Sequence, residues 1–285
     1  MPRNLAIPAL LAVAGLSLAQ AQQEPSIRLD PGLQRSLEST VSRLALNTSV
    51  NERRLAVSLV DITDPAQPRY AGLNDREMMY AASLPKIAVL VAAFEKIRSG
   101  LLDYTPSVKD MLTRMVRYSS NADASLAIHK VGFEYIARVL TSAKYRLYDP
   151  LMNGGLWLGK AYGGPNDYWQ RDPLHNISHG ATTLQVARFF LLLEQGLLVS
   201  PQYSAEMKEI LSKPGIHHKF VKGLDTKPGA EIYRKSGTWH DWHSDAALIE
   251  HNGKKYIAVA LMNDARGSEI FPKLILQMDS LICGD

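Results

Sequence analysis

Apolar residues recur along this chain with two different periods, and the change of period divides it. Leu33, Leu37, Val41 and Leu44 fall at helical spacing and predict an amphipathic helix over 31–47. The run Leu55-Ala56-Val57-Ser58-Leu59-Val60-Asp61 reads as a strand ended by Asp64-Pro65, with a second strand near 69–72. Between 85 and 97, Ile87, Val89, Leu90, Val91, Phe94 and Ile97 leave few polar positions, which predicts a helix covered on nearly every side. Helical patterns follow over 108–117, 122–130, 134–142 and 182–198. The stretch 148–180 is rich in Gly, Pro, Asn and Asp with aromatics between, and reads as one long irregular segment of the kind that is functional or mobile. Strands are expected over 231–238, 246–250 and 255–262, with His251-Asn252-Gly253-Lys254 as a hairpin turn, and a helix over 268–281.

This order predicts an α+β fold: an antiparallel sheet built from the N- and C-terminal segments, flanked by helices, with an all-helical lobe inserted between. The α/β lobe would hold about 31–82 and 220–285, the helical lobe about 83–219, together one catalytic domain over 22–285.

Composition adds limits. The chain has 285 residues and a formal net charge of +4, with basic residues scattered, so no nucleic-acid footprint is visible. Arg3, an apolar run from Leu5 to Leu18 and Ala19-Gln20-Ala21 describe a secretory signal peptide over 1–21, cleaved after Ala21, with export to a bacterial periplasm or beyond. The run is too short for a stable membrane span. Cys283 is the single cysteine, so no internal disulfide forms, and it reads as a passive thiol.

The chemistry begins at Ser83-Leu84-Pro85-Lys86. A serine hydroxyl needs a base to act as nucleophile, and a lysine three positions on shares its helix face. A helix start also offers free N–H groups to a developing oxyanion. Alone, this tetrapeptide is an ordinary cap with Pro in the first turn. Two further elements change the weighting: Tyr118-Ser119-Ser120-Asn121 and Lys235-Ser236-Gly237-Thr238.

The three together resemble the motif set of the penicillin-recognising serine hydrolases, in particular the class A β-lactamases and their peptidase relatives. The resemblance implies Ser83 as the acylated nucleophile and Lys86 as its base. It implies Ser119 as proton relay to the leaving nitrogen and Asn121 as a ligand for the substrate amide. Lys235 would supply positive charge, Gly237 room beside the strand, and the N–H groups of Ser83 and Thr238 an oxyanion hole. Ser236 and Thr238 would contact substrate. Ser120 stands where class A enzymes usually carry Asp.

Three departures stand out. Class A β-lactamases carry E-x-x-L-N, whose Glu activates the deacylating water; here the nearest match is Asp149-Pro150-Leu151-Met152-Asn153, with Asp167 and Asp172 as rival carboxylates. The interval from Ser83 to Ser119 is shorter than in that family. The segment after Asn153 is enlarged, and its Trp157, Tyr168 and Trp169 either rebuild a substrate wall or pin the loop. In place of an Arg after the third motif, the chain offers His240 and His243 for a substrate carboxylate. His175, His179, His217 and His218 show no metal-ligand spacing, so neither metal nor cofactor is implied. The expected activity is that of a monomeric β-lactamase-type acyl-hydrolase acting on a β-lactam, tied to antibiotic resistance. The alternatives are a D-alanyl-D-alanine peptidase acting on peptidoglycan peptide, and a lactam sensor without turnover.

Overall fold

A computed structural model of the protein describes residues 27–164 and 167–284; the expected signal peptide lies outside them. The described chain opens with β1 (Arg28–Leu29) and α1 (Pro31–Arg43). Asp30 caps α1 by accepting the Leu33 N–H at 2.7 Å. The helix expected to reach 47 stops early: Ala45 takes a positive φ of 57°, and a short α2 (Asn47–Asn51) follows. Then come β2 (Leu55–Asp61), β3 (Arg69–Leu73) and β4 (Met79–Tyr80). The helical lobe begins with α3 (Lys86–Arg98), α4 (Pro106–Arg117), α5 (Asn121–Val131) and α6 (Phe133–Thr141). The long segment expected to be irregular carries four short strands, β5 (Tyr148–Asp149), β6 (Gly154–Gly155), β7 (Trp157–Leu158) and β8 (His179–Ala181). It leads into α7 (Thr183–Glu194), and two helices not anticipated follow, α8 (Pro201–Leu211) and α9 (Phe220–Leu224). The chain closes with β9 (Glu231–Trp239), β10 (Trp242–His251), β11 (Lys254–Asn263) and α10 (Gly267–Cys283).

The main sheet has the order β1-β3-β2-β11-β10-β9, antiparallel apart from the β1–β3 pair. This is the α+β arrangement that the element order predicts, with both chain ends in one sheet and helices between. Alternation along β2 shows why it stays put. Leu55, Val57 and Leu59 enter a core with α1, α9 and α10, while Ala56 and Val60 enter a second core with α3 and α7. With both faces covered, the strand reads as a nearly unbroken apolar run. The Asn252-Gly253 turn joins β10 to β11 with φ of 49° and 70°, the mirror-image turn that suits strand twist.

Two features of this scaffold aim the cleft described below. Helix α3 is buried along its length, from Lys86 through Glu95, so its first residue is held without freedom to move. A small sheet of order β4-β8-β7 ties the long segment to the chain just before Ser83, and the Ala81 N–H donates to the His179 carbonyl at 2.8 Å.

Leu59 is fully buried and Trp239 is 58% exposed. Leu59→Ala should therefore cost about 2–5 kcal/mol. Trp239→Ala should stay within about 0.5 kcal/mol. Urea denaturation of the two variants checks both values.

Candidate active site

Ser83 sits in a run of tight turns rather than at a helix cap. The Leu84 N–H donates to the Ala81 carbonyl at 3.0 Å, Lys86 N–H to Ser83 at 3.3 Å and Ile87 N–H to Leu84 at 3.2 Å, and only then does α3 begin. Ala82 adopts φ of 51°, uncommon for a residue with a side chain, and this turns the next residue outward. Ser83 lines a cleft of about 700 Å³ between β9–β10 and the long segment, shared with Asn121, Tyr162, His179, Thr238 and Trp242.

Lys86 follows in the first turn of α3 and has no solvent exposure. Its Nζ donates to the Ser119 carbonyl at 2.6 Å, to Asn121 Oδ1 at 2.8 Å and to Ser119 Oγ at 3.3 Å. From the sheet side, Lys235 Nζ donates to the same Ser119 Oγ at 3.0 Å and to the Ser236 carbonyl at 2.5 Å. Ser119 itself has φ of 55°, a left-handed conformation that presents carbonyl and hydroxyl together. Burial pushes the Lys86 amine down to about 7. Burial, and then the nearby Lys86 charge, push Lys235 well below the ordinary lysine range. The face of Tyr162 covers Lys86 with its ring centre 4.3 Å from Nζ, a partner that spacing in the sequence did not reveal.

Strand β9 passes so close to the turn that a Cβ on Gly237 would lie 2.4 Å from the Ala81 carbonyl and 2.5 Å from the Ser83 nitrogen. Glycine is required there by contact. Among the described residues neither the hydroxyl nor the N–H of Ser83 has a hydrogen-bond partner, so the expected Ser83–Lys86 bond is replaced by the bonds of Lys86 to Ser119 and Asn121.

A family model described as the beta-lactamase enzyme family matches residues 36–107 and 103–278. The chain belongs to the beta-lactamase enzyme family. Solved structures of that kind share its fold. A β-lactamase from Sphaerobacter thermophilus DSM 20745 is 14% identical, with 87% of this chain and 96% of that one covered at a TM-score of 0.69. PBP-A is 18% identical over 90% and 98% of the two chains at 0.66. A variant of PBP-A has been solved as an acyl-enzyme complex with penicillin G. The last common ancestor of Gram-negative bacteria β-lactamase class A is 18% identical over 85% and 99% at 0.63. No curated protein matches the sequence.

Within this member of the beta-lactamase family, several expected residues stand elsewhere. Asp149 lines a separate cavity of about 480 Å³ with Tyr70, Arg76 and Arg188. It caps a short 3-10 turn by accepting the Leu151 N–H at 3.0 Å and pairs with Arg146 at 2.5 Å. Burial would raise its carboxyl, but the Arg146 and Leu151 hydrogen bonds outweigh that and hold it low. Asp172 is equally engaged, accepting the Tyr148 hydroxyl and, at 2.5 Å, the His175 N–H. Asp167 faces His129 at 3.1 Å. No Asp or Glu is among the described residues that line the cleft.

The histidines and Ser236 are placed by strand parity. His240 and Asp241 form the exposed two-residue turn between the paired Trp239 and Trp242, so His240 stands outside the cleft. Successive side chains on a strand point to opposite faces. Trp242 and Ser244 face forward, with Ser244 Oγ donating to the Ala81 carbonyl at 2.8 Å. His243 therefore faces back, packed on Gly267 and 3.3 Å from Ser268 Oγ. On β9 the same rule turns Ser236 Oγ toward His218 Nε2 at 3.4 Å.

Thr238 lines the cleft, but its hydroxyl is held from behind by Lys219, whose Nζ donates to it at 2.9 Å and to the Gly237 carbonyl at 2.6 Å. Burial lowers this lysine to about 7. Nothing local in the sequence marks Lys219. Of the enlarged segment's aromatics, Trp157 and Trp169 stack at 5.8 Å and Trp169 on Phe133 at 6.0 Å, pinning the segment to α6. Tyr162 and Tyr168 line the cleft instead. Half-buried Cys283 lies beside buried His251 and Asp279 at the far end of β10, where Asp279 bonds to His251 at 3.0 Å and Tyr256 at 2.8 Å.

Gly237→Ala should force β9 away from Ser83. The expected effect is a loss of about 100-fold in the rate at which Ser83 takes up an acylating probe. Stopped-flow labelling measures it, and unchanged far-ultraviolet circular dichroism shows that the fold persists.

Proposed function

We propose that the protein is an exported serine acyl-hydrolase of the β-lactamase type. One observation carries this reading: the Ser119 hydroxyl is held between two buried lysine amines beside a cleft whose turn presents Ser83. Burial lowers the Lys86 amine to about 7, which brings its free-base form within reach near neutral pH. That form takes the Ser83 proton as the hydroxyl attacks a lactam or amide carbonyl. The unpartnered Ser83 N–H, with that of Thr238, faces the developing oxyanion. The proton travels through Ser119 to the leaving nitrogen, the C–N bond breaks, and a Ser83 ester remains. Asn121 spends its carbonyl oxygen on Lys86, which leaves its NH₂ to the substrate's amide. The leader over 1–21 would carry the chain out of the cytoplasm. Among the described residues no helix is long and apolar enough to cross a membrane.

A peptidase of D-alanyl-D-alanine ends is the second reading. It is favoured by the lack of any carboxylate lining the cleft among the described residues, since a lactam ester without such a group to activate water is released slowly.

Incubation with a chromogenic cephalosporin, followed by intact mass, tests the proposal. The expected result is a stoichiometric adduct at Ser83, absent in Ser83→Ala, which should fold normally. Steady colour release marks a lactamase, and a persistent adduct with cleavage of a D-alanyl-D-alanine peptide marks the peptidase. No adduct with any lactam overturns both. Because the base form of Lys86 is the reactive one, acylation should rise through pH 7 and level off above 8. A rate flat from pH 6 to 8 would remove Lys86 from that role.

A further inference from the structure

The chain carries 28 acidic residues, yet none is among the described residues that line the cleft. Two basic residues do line it, Lys160 and Arg171, both from the long segment opposite β9. Among the described residues their close side-chain contacts are with neutral groups. Lys160 Nζ lies 3.3 Å from the Tyr168 hydroxyl and 4.5 Å from the centre of the same ring. Arg171 donates to the Asn176 carbonyl at 3.0 Å. The carboxylates nearest in sequence turn elsewhere. Asp167 pairs with His129 at 3.1 Å, and Asp172 accepts the Tyr148 hydroxyl and the His175 N–H.

The backbone brings the two cations to one wall. Lys160 bridges to Tyr168, the Ala161 N–H donates to the Asp167 carbonyl at 3.0 Å, and the Trp169 N–H to the Gly159 carbonyl at 2.9 Å. A Cβ on Gly159 would lie 2.1 Å from the Gln170 carbonyl and 3.1 Å from the Arg171 Cα, so the stretch that carries Lys160 rests on the one that carries Arg171. Their charge is felt inside the cleft. Burial pushes the His179 imidazole down to about 4, and the charges of Lys160, Lys86 and Arg171 push the same way. Charges of one sign along a concave wall focus their field on the space between.

The fastening of this wall indicates which part of a substrate meets it. In the reaction proposed above, Asn121 takes the amide on the acyl side of the substrate. Asn121 opens α5, and α5 is tied to the long segment two residues from Lys160: Ser125 Oγ donates to the Tyr162 carbonyl at 2.5 Å and accepts the Tyr162 N–H at 3.0 Å.

We propose that Lys160 and Arg171 form an anion subsite for the acyl side chain, so that the preferred substrates of this cleft carry a carboxylate there. The planar guanidinium holds a carboxylate through two parallel hydrogen bonds, and the ammonium adds a point charge. This deepens the acyl-enzyme reading and rests on it.

Three penicillins that differ only at the side-chain carbon test the subsite: benzylpenicillin, its α-carboxy analogue and its α-amino analogue. Second-order rates of Ser83 labelling are read by intact mass in wild type and in the double variant Lys160→Gln/Arg171→Gln. In wild type the carboxylate should label about 10-fold faster than benzylpenicillin, and the ammonium more slowly than benzylpenicillin. In the double variant the three rates should fall within about 2-fold of one another. Equal rates in wild type overturn the proposal, as does an order that survives in the folded double variant. If that variant fails to fold, salt decides in the wild type. Raising it from about 0.05 M to about 0.5 M should erase most of the carboxylate's advantage, because charges at an open wall are screened. An advantage that persists overturns the proposal. If no penicillin labels Ser83, the acyl-enzyme reading fails by itself. The subsite is then read from equilibrium binding of the three to Ser83→Ala, where the same order supports it and equal or undetectable affinities overturn it.

Discussion

Two amines removed from water and directed at one hydroxyl are the constraint around which this molecule is organised. A buried ammonium is expensive, and two close together each make the other's proton less stable. The protein meets that demand with acceptors whose position it fixes: the carbonyls of Ser119 and Ser236 and the side chain of Asn121. These come from the α4–α5 junction and from β9, so the pair is tolerated only when the helical lobe and the sheet are docked. The depressed basicity of Lys86 is therefore a property of the assembled fold, and an isolated helix would not show it.

The docking is enforced on both sides of Ser83. Helix α3 gives Lys86 an immobile base because its apolar residues leave no exposed face. Strand β9 meets the Ser83 turn at Gly237 with no space for a methyl group. The strained backbones of Ala82 and Ser119 sit at the two points where the chain must bend sharply to bring hydroxyls to the same place. Behind β9, Lys219 and the buried Arg234–Asp245 pair hold the strand's other face, so that it cannot roll away from the turn.

Much of this was readable from the sequence because it depends on periodicity. The alternation in β2 and the unbroken apolar stretch of α3 declared their elements directly, and the Asn252-Gly253 turn fixed one hairpin. The three motifs pointed to Ser83, Lys86, Ser119 and Lys235 through their resemblance to a known set. What periodicity could not supply was the phase of strands whose ends were misjudged. Placing the start of the tenth strand at Ala246 hid the His240-Asp241 turn, and with it the rule that sends His243 to the back. Asp149 was misleading because a carboxylate before Pro serves equally as a turn cap, and Arg146, three residues earlier, claims it. Lys219 escaped notice because its meaning is wholly tertiary: it is defined by the strand it supports.

The two walls of the cleft differ in how they are built. The sheet side is continuous strand locked to the Ser83 turn, so a change in its shape disturbs that turn as well. The opposite side is a long segment fastened by stacked indoles and a few short strands, with Tyr168, Lys160 and Arg171 displayed between the fastenings. Exchanging residues between the anchors can thus reshape that wall alone, while the turn opposite stays in register.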